Sequence, residues 1–286
     1  MATTYQTTHT TTYLYDQSVA QSISEARLTP RSFERQRVLE THIAVQPDFA
    51  TTETRTDYFG NQVTTIAVFG LHDRFIVTST SVVEEGIGPA RELPVISWET
   101  VRDRLTVPRE EESLAASEFI FESPYVSIVK SVAEFARISF TPGRPIVDAV
   151  RELNHRIHTE FIYKPESTSI EVPLQELMEK RHGVCQDFAH VMIGGIRSVG
   201  LAARYVSGYL RSGADVQGAE ASHAWVSAWV PGAGWVDFDP TNDVMPGEGH
   251  VTVGWGRDFG DVTPVKGVAL GGGGQTVEVE VHVVPQ

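Results

Sequence analysis

The spacing of apolar residues changes once along this chain, and that change limits the fold more than any other feature. Up to about residue 85 the period is two. "RVLETHIAV", "NQVTTIAVF" and "RFIVTSTSVV" alternate side by side, as half-buried strands do. In "DYFGNQV", Gly60 and Asn61 stand between two such runs, a hairpin-type turn signal. Several short strands are therefore expected, as a β-sandwich-like domain over 1–85. Gly86, Gly88, Pro89 and Pro94 then interrupt the pattern, which marks 86–105 as a linker. Beyond it the period becomes helical. "PIVDAVRELNHRIHTEF" lines Ile146, Ala149, Val150, Leu153, Ile157 and Phe161 along one stripe, with Pro145 suited to the first turn. "CQDFAHVMIGGIRSVG" reads as a second, more buried helix that stops at Gly200. The strands "ARYVSGYL", "HAWVSAWV" and "GWVDFD" follow, then the glycine run 271–274 and the alternating "TVEVEVHVV". Helices followed by strands make 106–286 a second unit, and the fold class α+β.

Composition narrows the function classes. The 286 residues suffice for one large core or two modest ones. A formal charge of −14 argues against nucleic acid or an anionic membrane as partner, since both need a positive surface. No window nears the ~18 apolar residues of a membrane span. "MATTYQTTHTTTYLYDQ" lacks the basic start and apolar run of a signal peptide. One cysteine allows no internal disulfide, which fits a reducing compartment, so a cytoplasmic location is expected. No HExxH, CxxC or EF-hand loop is present; neither a metal nor another cofactor is expected.

That cysteine, Cys185, lies in "RHGVCQDFAH". By itself the stretch fits a buried small side chain as well as a nucleophile. Gly183 would allow a sharp turn into the helix, whose first amides favour a thiolate and an oxyanion. A nucleophile needs a base, and the base an orienter. Of ten histidines, His190 turns away from Cys185 on the helix and His182 precedes it in the turn. His155 and His158 share a helix face, which solvent explains better than a metal. His223 opens the strand "HAWVSAWV", and Asp239 closes the neighbouring "GWVDFD". A three-residue "PGA" loop would place them on one face of that hairpin; a four-residue "PGAG" loop would not. Trp225, Trp229 and Trp235 are candidates for a substrate-groove wall, the alternative being core aromatics.

"GVCQDFAH", "ARYVSGYL", "SHAWVSAWVPGAGWVDFDPTND" and "GRDFGDVTPVKGV" resemble the bacterial transglutaminase-like superfamily, described also as cysteine proteases. "ARLTPR" and "DYFGN" resemble the β-rich domain that precedes its core. The resemblance implies a papain-like core, a helix bundle packed on an antiparallel sheet. It implies Cys185 as nucleophile, His223 as general base and acid, and Asp239 as orienter. No glutamine stands shortly before Cys185, where papain-like proteases carry one. Gln186 and Tyr163 are then the side-chain candidates for the oxyanion, beside the Cys185 amide. The implied chemistry is acyl transfer through a thioester. Hydrolysis of a peptide or protein amide is expected first, and transfer to an amine acceptor second. A binding module that keeps the triad for structure is the reading of another class.

Overall fold

The computed structural model describes residues 2–87, 92–165, 172–211, 213, 216–219 and 221–286. The chain order is β1 (Thr3–Ala26), β2 (Gln36–Gln46), β3 (Thr51–Thr56) and β4 (Gln62–Glu85). Then come α1 (Trp98–Thr106), α2 (Glu111–Ser117), α3 (Lys130–Arg137), α4 (Ile146–Glu160) and β5 (Ile162–Tyr163). They lead to α5 (Leu174–Lys180), β6 (His182–Gly183) and α6 (Cys185–Ser198). The rest is β7 (Ala203–Leu210), β8 (His223–Val230), β9 (Gly234–Phe238), β10 (His250–Gly256), α7 (Phe259–Val262), β11 (Val265–Gly271) and β12 (Gln275–Pro285).

The N-terminal body is built on two long strands rather than several short ones. β1 and β4, 24 residues each, pair antiparallel from Thr3 opposite Glu85 to Ala26 opposite Thr64. Register shifts between Leu14 and Gln21 bend this ribbon, as bulges do. On one side of the bend β1 carries β12 and β4 carries β2; on the other they carry β11 and β3. Ile66 and Val68 from one side share a cluster with Phe75 and Val77 from the other, which gives the sandwich-like character. Much of β1 is threonine. Thr7 and Thr11 are buried in it, and Thr10 meets Thr78 across the strands at 3.2 Å.

Two expected boundaries need correction. β11 and β12 pair with β1, so the second unit does not run unbroken over 106–286. Without them one side of β1 would be an open edge. The span 86–105 is not all linker either. Residues 98–105 belong to α1, which Ser97 caps and which buries Val101 and Leu105 in the main core. Gly88 and Pro89 lie outside the described residues.

The main core lies between the helices and a four-stranded antiparallel sheet of order β10-β7-β8-β9. The α4 stripe is buried as its spacing predicts. In α6 every residue from Asp187 to Arg197 is buried. Added β-carbons at Gly194 and Gly195 would stand 3.1 Å from Leu174 and Ala136, so α5 and α3 pack close against it. All residues of β7 and β8 are buried, because the N-terminal body packs on the sheet too. Tyr5, Val83, Val281 and Val283 meet Tyr209, Val251 and Val253 there. Buried Gln36 donates to the Thr252 carbonyl and accepts from its amide. Asn61 does the same for Trp255. Among the described residues no helix is long and apolar enough to cross a membrane.

Candidate active site

Cys185 owes its position to a short chain of local choices. α5 ends at Arg181 in the left-handed region, φ 51°. His182 and Gly183 then run parallel to Ile162 and Tyr163, and α6 begins at Cys185. Asp187 folds back to accept from the Val184 amide at 2.9 Å, a charge-complementary cap at a helix N-terminus. Gly183 is required for space rather than for turning: a β-carbon there would stand 2.5 Å from Asp187 Oδ2. The Cys185 thiol is half-buried against the main core, at the positive end of α6.

His223 and Asp239 come together through the β8–β9 hairpin. Val230 lies opposite Gly234 and Trp229 opposite Trp235, which is the three-residue register. His223 Nε2 is 2.9 Å from Asp239 Oδ2, and both side chains are fully buried. Asp237, two residues earlier, accepts instead from Ser227 Oγ. Burial alone would lower the imidazole pKa. The charge and hydrogen bond of Asp239, and after them Cys185, outweigh it and raise His223 to about 10. Nδ1 is buried and makes no hydrogen bond of ordinary geometry, yet the Cys185 thiol is near enough to act on the ring. Burial pushes Asp239 the other way, but His223, His250 and Asn242 hold its carboxyl well below the usual range.

The turn that carries Asp239 is held from three directions. The Asp239 amide donates to the Val244 carbonyl at 2.8 Å, closing the turn. Asp239 Oδ1 accepts from the Thr241 and Asn242 amides at 2.9 and 3.2 Å. From α4, Asn154 Nδ2 and His155 Nδ1 reach Asp243 at 3.1 and 2.7 Å, and His158 Nδ1 reaches the Thr241 carbonyl at 2.9 Å. The α4 histidines thus hold the turn, His155 from the exposed face the sequence suggests and His158 from a half-buried position. Asn242 also joins the turn to Gln217, accepting from its amide and donating to its carbonyl. Next to it Gly218, at φ +83°, has no room for a side chain. A β-carbon there would stand 2.8 Å from His223 Nδ1 and 3.5 Å from the Tyr163 hydroxyl.

Tyr163 therefore lies on the Nδ1 side of the imidazole, and its strand pairs with Gly183, two residues before the thiol. Gln186 is half-buried in the first turn of α6. The tryptophans do not form the expected wall. Trp225 is 0% and Trp229 3% exposed; they are core side chains, closed off by the N-terminal body and the helices. Trp235 stacks on Arg204 and borders a cavity of about 830 Å³ lined by Asp237 and Trp255, but not by Cys185 or His223. His190 points elsewhere, accepting from the Phe259 amide, and burial pushes it down to about 3. Two neighbours of Asp239 escape sequence reasoning, Asn242 and His250. Their only sequence signal is position: one in the turn after β9, the other at the start of a later strand whose register the sequence does not reveal.

Known proteins place the chain in a wider setting. Residues 5–84 match the family model "Bacterial transglutaminase-like N-terminal region", and residues 135–240 match "Transglutaminase-like superfamily". An uncharacterized protein of Mycobacterium tuberculosis is 37% identical over 299 residues, spanning 98% of this chain and 92% of its own. A protein-glutamine gamma-glutamyltransferase of Pseudomonas aeruginosa is 34% identical over 97 residues, 31% of this chain and 14% of that protein. In fold, the chain superposes with a TM-score of 0.79 on the crystal structure titled a "putative cysteine protease" from Cytophaga hutchinsonii. The two are 21% identical, and the match covers 100% of this chain and 91% of that one. With these matches and the Cys185, His223 and Asp239 motifs in place, the chain belongs to the bacterial transglutaminase-like superfamily.

Proposed function

We propose that the protein is a cysteine-dependent acyl-transfer enzyme acting on peptide or protein amides. The observation that carries this reading is the buried His223–Asp239 pair beside a thiol at a helix start. The carboxylate accepts at Nε2, so the imidazole keeps a proton there and works through Nδ1. With His223 raised to about 10, the imidazolium dominates at neutral pH and electrostatically favours a thiolate beside it.

The thiolate attacks the amide carbonyl carbon, forming a C–S bond. The Cys185 amide, with the Tyr163 hydroxyl and Gln186 as side-chain candidates, stabilises the oxyanion. Collapse breaks the C–N bond while His223 Nδ1 gives its proton to the departing amine, leaving a thioester. His223, now neutral, takes a proton from the next nucleophile. Water completes hydrolysis, the simpler outcome because it needs one substrate site. An amine acceptor would complete amide exchange, the reading favoured by the gamma-glutamyltransferase relative. A thiol that must stay reduced suits a cytoplasmic setting.

The test is to incubate the protein with a pool of amide-bearing peptides, quench in acid and measure intact mass. An adduct of acyl mass on the wild type, absent in Cys185→Ala, supports the reading, and its decay with and without added amine separates the two outcomes. No adduct, and no peptide turned over, would return the molecule to the binding-module class.

A further inference from the structure

The Asp239 carboxylate serves two imidazoles, not one. Oδ2 accepts from His223 Nε2 and Asn242 Nδ2 at 2.9 Å each, and from His250 Nε2 at 3.3 Å. His250 comes from β10, the far side of the sheet from β9. Its ring stands edge-on against Trp225, centroids 5.4 Å apart, and its side chain is 13% exposed. That ring also borders a cavity of about 180 Å³ between the sheet and the N-terminal body, where Glu85, Arg35, Asp237 and Glu248 face it. Glu85 accepts from the amide of Gly249, the residue before His250, and the Arg211 amide donates to the Gly249 carbonyl.

We infer that His250 is a positioning residue that tempers the triad: by sharing Asp239 Oδ2 with His223, it limits how tightly His223 holds its proton. The inference rests on the proposed acyl-transfer role of His223. Its physical basis is that a carboxylate oxygen divided among three donors offers each less charge than one facing a single partner. A general acid must also release its proton to the leaving amine, so a base gripped too strongly is a poor acid in the same cycle. Asn242 shares the oxygen as well, but its amide is neutral at every pH. His250 is titratable and faces the cavity, so it alone of the two can pass a change there to the triad.

The test is a 13C NMR titration of protein labelled at histidine Cε1, with the His223 signal assigned by its loss in His223→Gln. His250→Phe keeps a ring on Trp225 but has no N–H, and His250→Ala removes both. His250→Gln keeps an N–H that reaches toward Asp239. The expected result is an upward shift of the His223 midpoint, by about half a pH unit or more, in the Phe and Ala variants, with little change in Gln. An unchanged or lowered midpoint in Phe and Ala, or an equal shift in all three, would overturn the inference. Failure of the acyl-adduct experiment with a raised, His250-dependent His223 midpoint would strike the enzymatic reading while leaving the coupling in place.

Discussion

At the scale of single residues, the site depends on proton positions set by one carboxylate. Asp239→Asn tests this. The Asn oxygen can still accept from the Thr241 and Asn242 amides, so the turn should keep its shape. Its amide N–H groups would then face His223 Nε2, which must switch to an acceptor and carry its proton on Nδ1, the wrong tautomer. Acyl-adduct formation is expected to slow by about 10⁴-fold, the loss seen for the same change in a related triad. A rate within tenfold of wild type would show that the carboxylate does not set the tautomer. Much of this site is legible in the sequence. A helix-start cysteine, a strand-start histidine and a strand-end aspartate each have a local signature, and the glycine-bearing "PGA" loop fixes the register that brings two of them together. His250 and Asn242 are not legible. Each reaches Asp239 through a register or a turn geometry that no local pattern encodes. The tryptophans mislead for a related reason: large aromatics suit a groove and a core equally, and only the covering body decides.

At the scale of elements, α4 has two tasks. Its apolar stripe fills the core, and its polar face carries Asn154, His155 and His158 onto the Asp239–Val244 turn. The stripe is readable by period, but the clamp is not, because an i, i+3 histidine pair has no partner until the fold supplies one. The double variant Asn154→Ala, His155→Ala removes both bonds to Asp243, which sits at φ 54°. A stability loss of about 1–2 kcal/mol is expected, at the usual net worth of such bonds and with little from the exposed His155. Urea unfolding measures it. A matching fall in the Cys185 alkylation rate would show that the clamp serves the site; an unchanged rate would make α4 a structural prop only.

At the scale of the whole molecule, the N-terminal body and the core form one folded unit, stitched by side chains the local pattern hides. β1 escapes an apolar count because threonines fill its inward positions, and its pairing with β11 and β12 joins residues 239 to 280 apart in the chain. Local periodicity reports that a strand exists, not whom it pairs with. The seam between body and sheet gives a pH dependence. His9 Nδ1 lies 3.1 Å from the Tyr209 hydroxyl, and burial lowers its pKa to about 4. A depressed histidine favours the folded state above its unfolded value of 6.5, and that contribution is lost as pH falls from 6.5 through about 4. His190 has the same sign. Glu85, raised to about 7 chiefly by burial, has the opposite one: its contribution is present below 4.5 and lost as pH rises through about 7. Replacing His9 by Gln removes one acid-sensitive term. The wild type is expected to lose about 2 kcal/mol more than His9→Gln between pH 7.5 and 5.0, read from urea midpoints. Equal losses would mean that His9 is protonated as easily folded as unfolded.

The central claim is that Cys185 is a thiolate nucleophile supported by His223, and alkylation tests it without a substrate. The measurement is the rate of iodoacetamide reaction at Cys185 against pH, for the wild type and for His223→Ala. At pH 6.5 a free thiol of pKa ~8.5 is about 1% ionised. The wild type is predicted to react there several-fold faster than His223→Ala, whose rate falls back toward the free-thiol curve. A wild-type curve that follows a free thiol, unchanged when His223 is lost, would contradict the account.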